Sequence, residues 1–228
     1  GLAGVRGAVA RRTASASTHG LAATAAHLAD TFRRWREHRE LLKLIGSFLL
    51  VNDVLVTLQF FIAVVLASKF GIAVDGILRL LALGTLVAIP STLVWGVLAD
   101  RWGARRCLVL LSLGLGGGVV LLAFSEAPWI PTLAFVLFGF VYGSVQALYR
   151  AFYASLVPAQ RAAEFFGFNA VAGRLSAAAG PLVFGVVATL WGDSAALLTL
   201  LVPLLLGIVL LSRVKAGAAS AASCPSTA

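Results

Sequence analysis

Six long apolar stretches divide the chain: Leu41 to Ala67, Ile77 to Leu98, Cys107 to Phe124, Trp129 to Ala154, Phe165 to Leu190 and Ala195 to Leu211. About 20 residues rising 1.5 Å each cross roughly 30 Å of hydrocarbon, so each stretch has the length of a bilayer span. The runs are uninterrupted Leu, Val, Ala and Gly rather than alternating segments, which predicts helices and excludes a barrel. The expected fold is an all-α membrane protein with six transmembrane helices over residues 41–214. Residues 1–40 read as a cytoplasmic linker and juxtamembrane helix, partly disordered, and residues 215–228 as a disordered cytoplasmic tail.

Polar residues that interrupt these stretches need a reason. Asn52 and Asp53 fall near the middle of the first span. A charge near the bilayer centre costs about 2.5 to 3.5 kcal/mol even on the lenient insertion scale, so it faces a partner or a wet cavity. The expectation is a bundle with a polar interior.

Composition agrees: 60% of residues are hydrophobic and 12% charged, with a mean hydropathy of +0.97. A soluble globule could not cover itself with so little polar surface. The net charge of +9 brings nucleic acid to mind, but its distribution argues otherwise. Arg33, Arg34, Arg36, Arg39 and Lys43 precede the first span, Arg101, Arg105 and Arg106 fill the second loop, Arg161 lies in the fourth, and Arg213 and Lys215 follow the last. The alternate loops carry Asp75, Glu126 and Asp193, with Lys69 nearby. By the positive-inside rule the basic excess is an orientation signal that places both termini in the cytoplasm. No nucleic-acid partner is expected.

The chain contains no Met, so it is expected to be a fragment or a trimmed product. Residues 1–29, rich in Ala, Ser and Arg, share the bias of an organellar transit peptide, but the same composition suits a disordered linker from an upstream domain, which is the preferred reading. From Asp30 the sequence TFRRWREHRELLK reads as a charged helix running into the first span, with Arg36 and Glu40 four apart.

Catalytic and metal chemistry find no footing. His19, His27 and His38 all precede the spans, so Ser144 in the sequence YGSVQAL has no histidine base within reach. Ser144 belongs instead with Gly139, Gly143 and Ala147, a series of small residues that lets another helix approach closely. Cys107 and Cys224 suggest no disulfide framework. No enzyme activity, metal or cofactor is expected. The cluster Gly114, Gly116, Gly117 and Gly118 lacks a phosphate-loop context and reads as close packing or flexibility.

The loop after the second span carries the most specific pattern: Gly96-Val-Leu-Ala-Asp100-Arg101-Trp-Gly103-Ala-Arg105-Arg106. Gly96 permits close helix contact, Gly103 suits a tight turn, Asp100 complements helix N-termini and the arginines hold the loop in the cytoplasm. This resembles the loop signature of the major facilitator superfamily. Asn52-Asp53, Gln146-Ala-Leu-Tyr-Arg150, Pro158, Arg161, Glu164-Phe-Phe-Gly167-Phe, Gly173-Arg174 and Gly180-Pro181 are similar to the carboxyl-terminal half of one branch. That branch is the vacuolar amino-acid-effluxer-like transporters and their bacterial relatives.

The resemblance implies twelve helices in two six-helix halves, each half an inverted three-helix repeat, with this chain as the second half. It also implies that Asp100 contacts the missing amino-terminal half, that the first and fifth helices are neighbours, and that the first and fourth face a central cavity. By depth, Asp53, Arg174 and Gln146 each lie eight to ten residues from the cytoplasmic ends of their spans. The expected substrate path or coupling set is therefore Asn52, Asp53, Gln146, Arg150, Asn169 and Arg174, with an Asp53–Arg174 pair at its border.

Alternatives remain open for each residue. The pair could be purely structural, Asn52 could bridge helices, and Arg150 could anchor at the interface by snorkelling or take part in gating. Glu164 complements a helix dipole and Arg79 snorkels. Gly180-Pro181 removes a backbone hydrogen bond and serves as a hinge or a static kink. The expected function is secondary transport of a small polar solute such as an amino acid, by alternating access and driven by protons, in a bacterial inner membrane. The competing reading is a non-transporting scaffold or partner subunit.

Overall fold

The computed structural model describes residues 39–156 and 162–214, and the side chains of these except 162–166, 168–172 and 174–178. All elements among the described residues are helices: α1 (Arg39–Phe70), α2 (Val74–Trp102), α3 (Ala104–Phe124), α4 (Ile130–Leu156), α5 (Ala162–Trp191), α6 (Asp193–Thr199) and α7 (Leu201–Ser212). The helices α1 to α4, and the α6–α7 pair taken together, are each long and apolar enough to cross a bilayer. α5 is 30 residues long, and its described apolar stretch is Ala179–Trp191. The chain is a multi-pass membrane protein. The expected juxtamembrane helix and tail, residues 30–38 and 215–228, lie outside the described residues.

Sharp turns join successive spans. Gly71, Gly103 and Gly192 take positive φ of 63°, 88° and 84°, a region that costs a residue with a Cβ but not glycine. Gly103 alone separates α2 from α3, its amide donating to the Ala99 carbonyl at 2.9 Å. The last span is read as one helix in sequence and is two in the structure. Pro203 has no N–H for the carbonyl of Thr199, and the chain tightens at Leu200, whose amide donates to Leu197 at 3.2 Å.

The packing centres on α1. Five consecutive residues from Val51 to Leu55 are buried, so the middle of α1 is surrounded rather than one-faced. Apolar burial does little for helix association inside lipid, so small residues and polar bridges must hold the neighbours. Gly207 of α7 leaves its Cα against Val51, Leu50 and the Ser47 carbonyl, and Gly46 faces Leu210. On the far side, α4 meets α2 through Gly139, where a Cβ would collide with the Gly84 backbone, and through Gly143 beside Thr92. Ser144 is buried there and shares a 3.1 Å hydrogen bond with Ser91, which also donates to the Phe140 carbonyl at 2.6 Å. Three of the small residues singled out in the α4 sequence, Gly139, Gly143 and Ser144, thus make the crossing with α2, while Ala147 is exposed. Gly116 meets Leu204 of α7, and Gly114 and Gly118 meet Val141 and Leu137 of α4.

At one end of the bundle Lys69 closes the C-terminus of α3, donating to the Leu122 and Ala123 carbonyls at 2.7 and 2.5 Å and to Ser194 Oγ at 3.0 Å. Ser68 donates to Asp193 beside it. At the other end, Arg105 Nη1 donates to the Val214 carbonyl at 2.8 Å and Lys43 to that of Arg213 at 3.3 Å. Cations satisfy the orphan carbonyls of helix ends at both faces.

Candidate functional site

The pair Asn52-Asp53 sits where α1 is enclosed, and the two side chains, 100° apart around the helix, reach different neighbours. Asn52 Oδ1 accepts a 2.8 Å hydrogen bond from Gln146 Nε2 of α4. It is one of several bridges between antiparallel α1 and α4 among the described residues. Ser47 and Tyr149 hydroxyls lie 2.7 Å apart, and Tyr142 donates to Gln59 Oε1 at 2.9 Å. From Ser47 to Gln59 the ladder runs about 18 Å along α1. Ser47 also donates to the Gly207 carbonyl at 2.8 Å, tying α7 to the same post.

Asp53 turns to α5. Its Oδ1 accepts the backbone N–H of Gly180 at 2.9 Å, and the residue is 8% exposed. Only glycine allows this approach. A Cβ at position 180 would stand 2.6 and 2.7 Å from the two carboxylate oxygens and closer still to Thr57 Oγ1. Thr57 is fixed by its own 2.7 Å donation to the Asp53 carbonyl. Next in the chain is Pro181, inside α5, which withholds an N–H from the carbonyl four residues upstream. A carboxylate thus grips the helix at the residue before its backbone gap. Phe61 and Phe184, with ring centroids 4.6 Å apart, pack α1 on α5 one level further along.

Beyond Asn52, between α1, α2 and α4, opens a cavity of about 400 Å³ lined by Gln59, Thr85, Thr92, Phe135, Phe138 and Tyr142 among others. Its volume lies in the range of small-molecule sites.

Of the residues expected at a substrate path, Asn52 and Gln146 meet each other, and Asp53 meets Gly180 of the expected hinge. Arg150 is exposed on α4. The side chains of Asn169 and Arg174 lie outside the described residues, and with them the Asp53–Arg174 pair; position 174 is six residues before Gly180, about 9 Å along the helix. In the loop pattern, Asp100, Arg101 and Arg106 are exposed, Gly103 makes the turn and Arg105 holds Val214. Gly96 has open space about it.

Sequence reasoning missed Ser47, Thr57, Gln59, Tyr142 and Tyr149. A signal was present for three of them. Asn52 and Gln59 are seven apart, and Tyr142, Gln146 and Tyr149 are spaced four and three apart, so each set forms one stripe of its helix.

Residues 8–222 match the model of the family described as vacuole effluxer Atg22 like. An uncharacterized MFS-type transporter, YxiO, from Bacillus subtilis is 31% identical over 82% of this chain and 44% of its own length. A Na(+), Li(+), K(+)/H(+) antiporter from Planococcus maritimus is 26% identical over 74% of this chain and 40% of its own. Autophagy-related protein 22-1 from Aspergillus niger is 23% identical over 86% of this chain and 35% of its own. The chain therefore spans less than half the length of these curated relatives. The described bundle, the loop pattern and a family match running through all the spans lead to one conclusion: the chain belongs to the vacuole effluxer Atg22-like family of major facilitator transporters.

Proposed function

We propose that the chain forms the carboxyl-terminal six-helix half of a secondary active transporter that moves a small polar organic solute, amino acids among the candidates, by alternating access coupled to protons. Both termini then face the cytoplasm, and the membrane is a bacterial inner membrane. The missing amino-terminal half supplies the opposite wall of the path.

The observation that carries this reading is the grip of Asp53 on the Gly180 amide. A carboxylate buried at mid-span is expensive, and it is retained where its charge is used. Ionised, Asp53 accepts a charge-assisted hydrogen bond from Gly180, roughly twice as strong as a neutral one. Protonation weakens that bond at the residue preceding the Pro181 gap, so proton loading biases α5 between two arrangements. Arg174, on the same helix, is the proposed counter-charge. The names of the relatives support a transporter, one of them exchanging cations for protons.

The test is transport by the full-length protein reconstituted in vesicles, comparing Asp53→Asn with the parent. Asparagine keeps the shape and an acceptor oxygen but cannot take up a proton. The expected result is loss of accumulation driven by a pH gradient, with solute exchange at equal pH retained. Unchanged uptake and pH dependence in the variant overturn the coupling role.

A further inference from the structure

The cavity between α1, α2 and α4 has a lining with a definite hydrogen-bond character. No carboxylate, imidazole, amine or guanidinium lines it. Its floor is aromatic: Phe138 and Tyr142 lie 5.3 Å apart at 34° between planes, with Phe135 beside them. Its polar groups are already half committed. Tyr142 spends its proton on Gln59 Oε1, Thr85 its own on the Leu81 carbonyl at 2.9 Å, and Thr92 on the Ala88 carbonyl at 2.8 Å. What remains is complementary. The Gln59 amide offers its N–H donors, which have no partner among the described residues, and the three hydroxyl oxygens keep lone pairs as acceptors.

We infer that this cavity is a solute subsite for a flat, uncharged aromatic group carrying both a carbonyl-type acceptor and an N–H or O–H donor, not for an alkali cation. The inference rests on the transporter reading and narrows its substrate class. The acceptor meets the Gln59 amide, the donor meets Thr85 or Thr92, and the ring lies on Phe138 and Tyr142 by offset or edge contact. A small cation is a poor occupant. It needs several oxygens converging at coordination distance, and a space of about 400 Å³ with few side-chain oxygens and no carboxylate does not close around it. Asp53, buried against Gly180, is not among the lining residues.

The experiment uses nicotinamide as the probe, since it is flat, uncharged and soluble and carries both groups on one carboxamide. Thr85→Cys is introduced into the full-length protein in vesicles, and its labelling rate with a water-soluble maleimide is measured with nicotinamide, with the uncharged saturated-ring analogue cyclohexanecarboxamide, or with potassium chloride at equal concentration. Nicotinamide is expected to slow labelling several-fold, and the other two to leave it unchanged. Adding Gln59→Leu, at an exposed position that does not disturb folding, is expected to abolish the protection. Protection by potassium alone, equal protection by all three, or no protection by any overturns the inference. Asp53→Asn separates the two proposals. If it leaves transport and its pH dependence intact, the coupling reading fails while nicotinamide protection still reports on the subsite; the reverse outcome removes the subsite and spares the coupling.

Discussion

The two sides of α1 are held by opposite means. Against α4 it is tied by side chains reaching side chains, Ser47 to Tyr149, Asn52 to Gln146 and Gln59 to Tyr142. Against α5 it is tied by a carboxylate on a backbone amide, with no Cβ between. The ladder spreads its hold over three bonds with rotatable arms, so one rung can adjust when its neighbour changes. The Asp53–Gly180 contact has no such slack, because both Thr57 and the carboxylate already fill the place a methyl would take. Under the proposed coupling the α4 side stays and the α5 side switches, since a single protonation would alter the Asp53–Gly180 contact.

The largest effect is expected from Gly180→Ala. The added methyl must displace Thr57 Oγ1 and both Asp53 oxygens, and overpacking of this kind costs about 1 to 3 kcal/mol. Thermal unfolding of the full-length protein in detergent should show a clear loss, and transport should fall with it. A melting curve equal to the parent's would mean that α5 can shift away freely and that the contact is not tight.

A smaller effect is expected from breaking the middle rung. Interhelical hydrogen bonds in membranes average about 0.6 kcal/mol and reach about 1.7. A double-mutant cycle of Asn52→Ala and Gln146→Ala should give a coupling within that span, because the bond is part-buried and the other rungs persist. Zero coupling would remove the ladder as a holding device. The least change belongs to Tyr142→Phe, which loses only the exposed bond to Gln59. Its melting should match the parent's within a few tenths of a kcal/mol, and a large loss would mean that the two sides of α1 are alike after all.

Much of this arrangement was legible along the chain. The spans were legible from apolar length, the turn at Gly103 from its place between the two arginine-flanked helices, and a close helix approach from Gly139 and Gly143, though not that α2 is the helix that approaches. The break at Leu200 was not read, although Pro203 announces it, because the hydropathy of Ala195 to Leu211 never falls. Asp53 was marked as costly by its position alone. Its acceptance of the Gly180 N–H could not be read, since a backbone amide is the same at every residue and leaves no trace in the sequence.

The sequence by itself determined that this chain crosses a membrane, how often, and which side chains would be too polar to face lipid, because burial in hydrocarbon penalises each residue according to its own chemistry. The tertiary structure decided which of those polar groups meet. Partner choice depends on helix rotation and register, set by where glycines let backbones close to contact, and one-residue differences in register carry a side chain 100° around its helix to another neighbour.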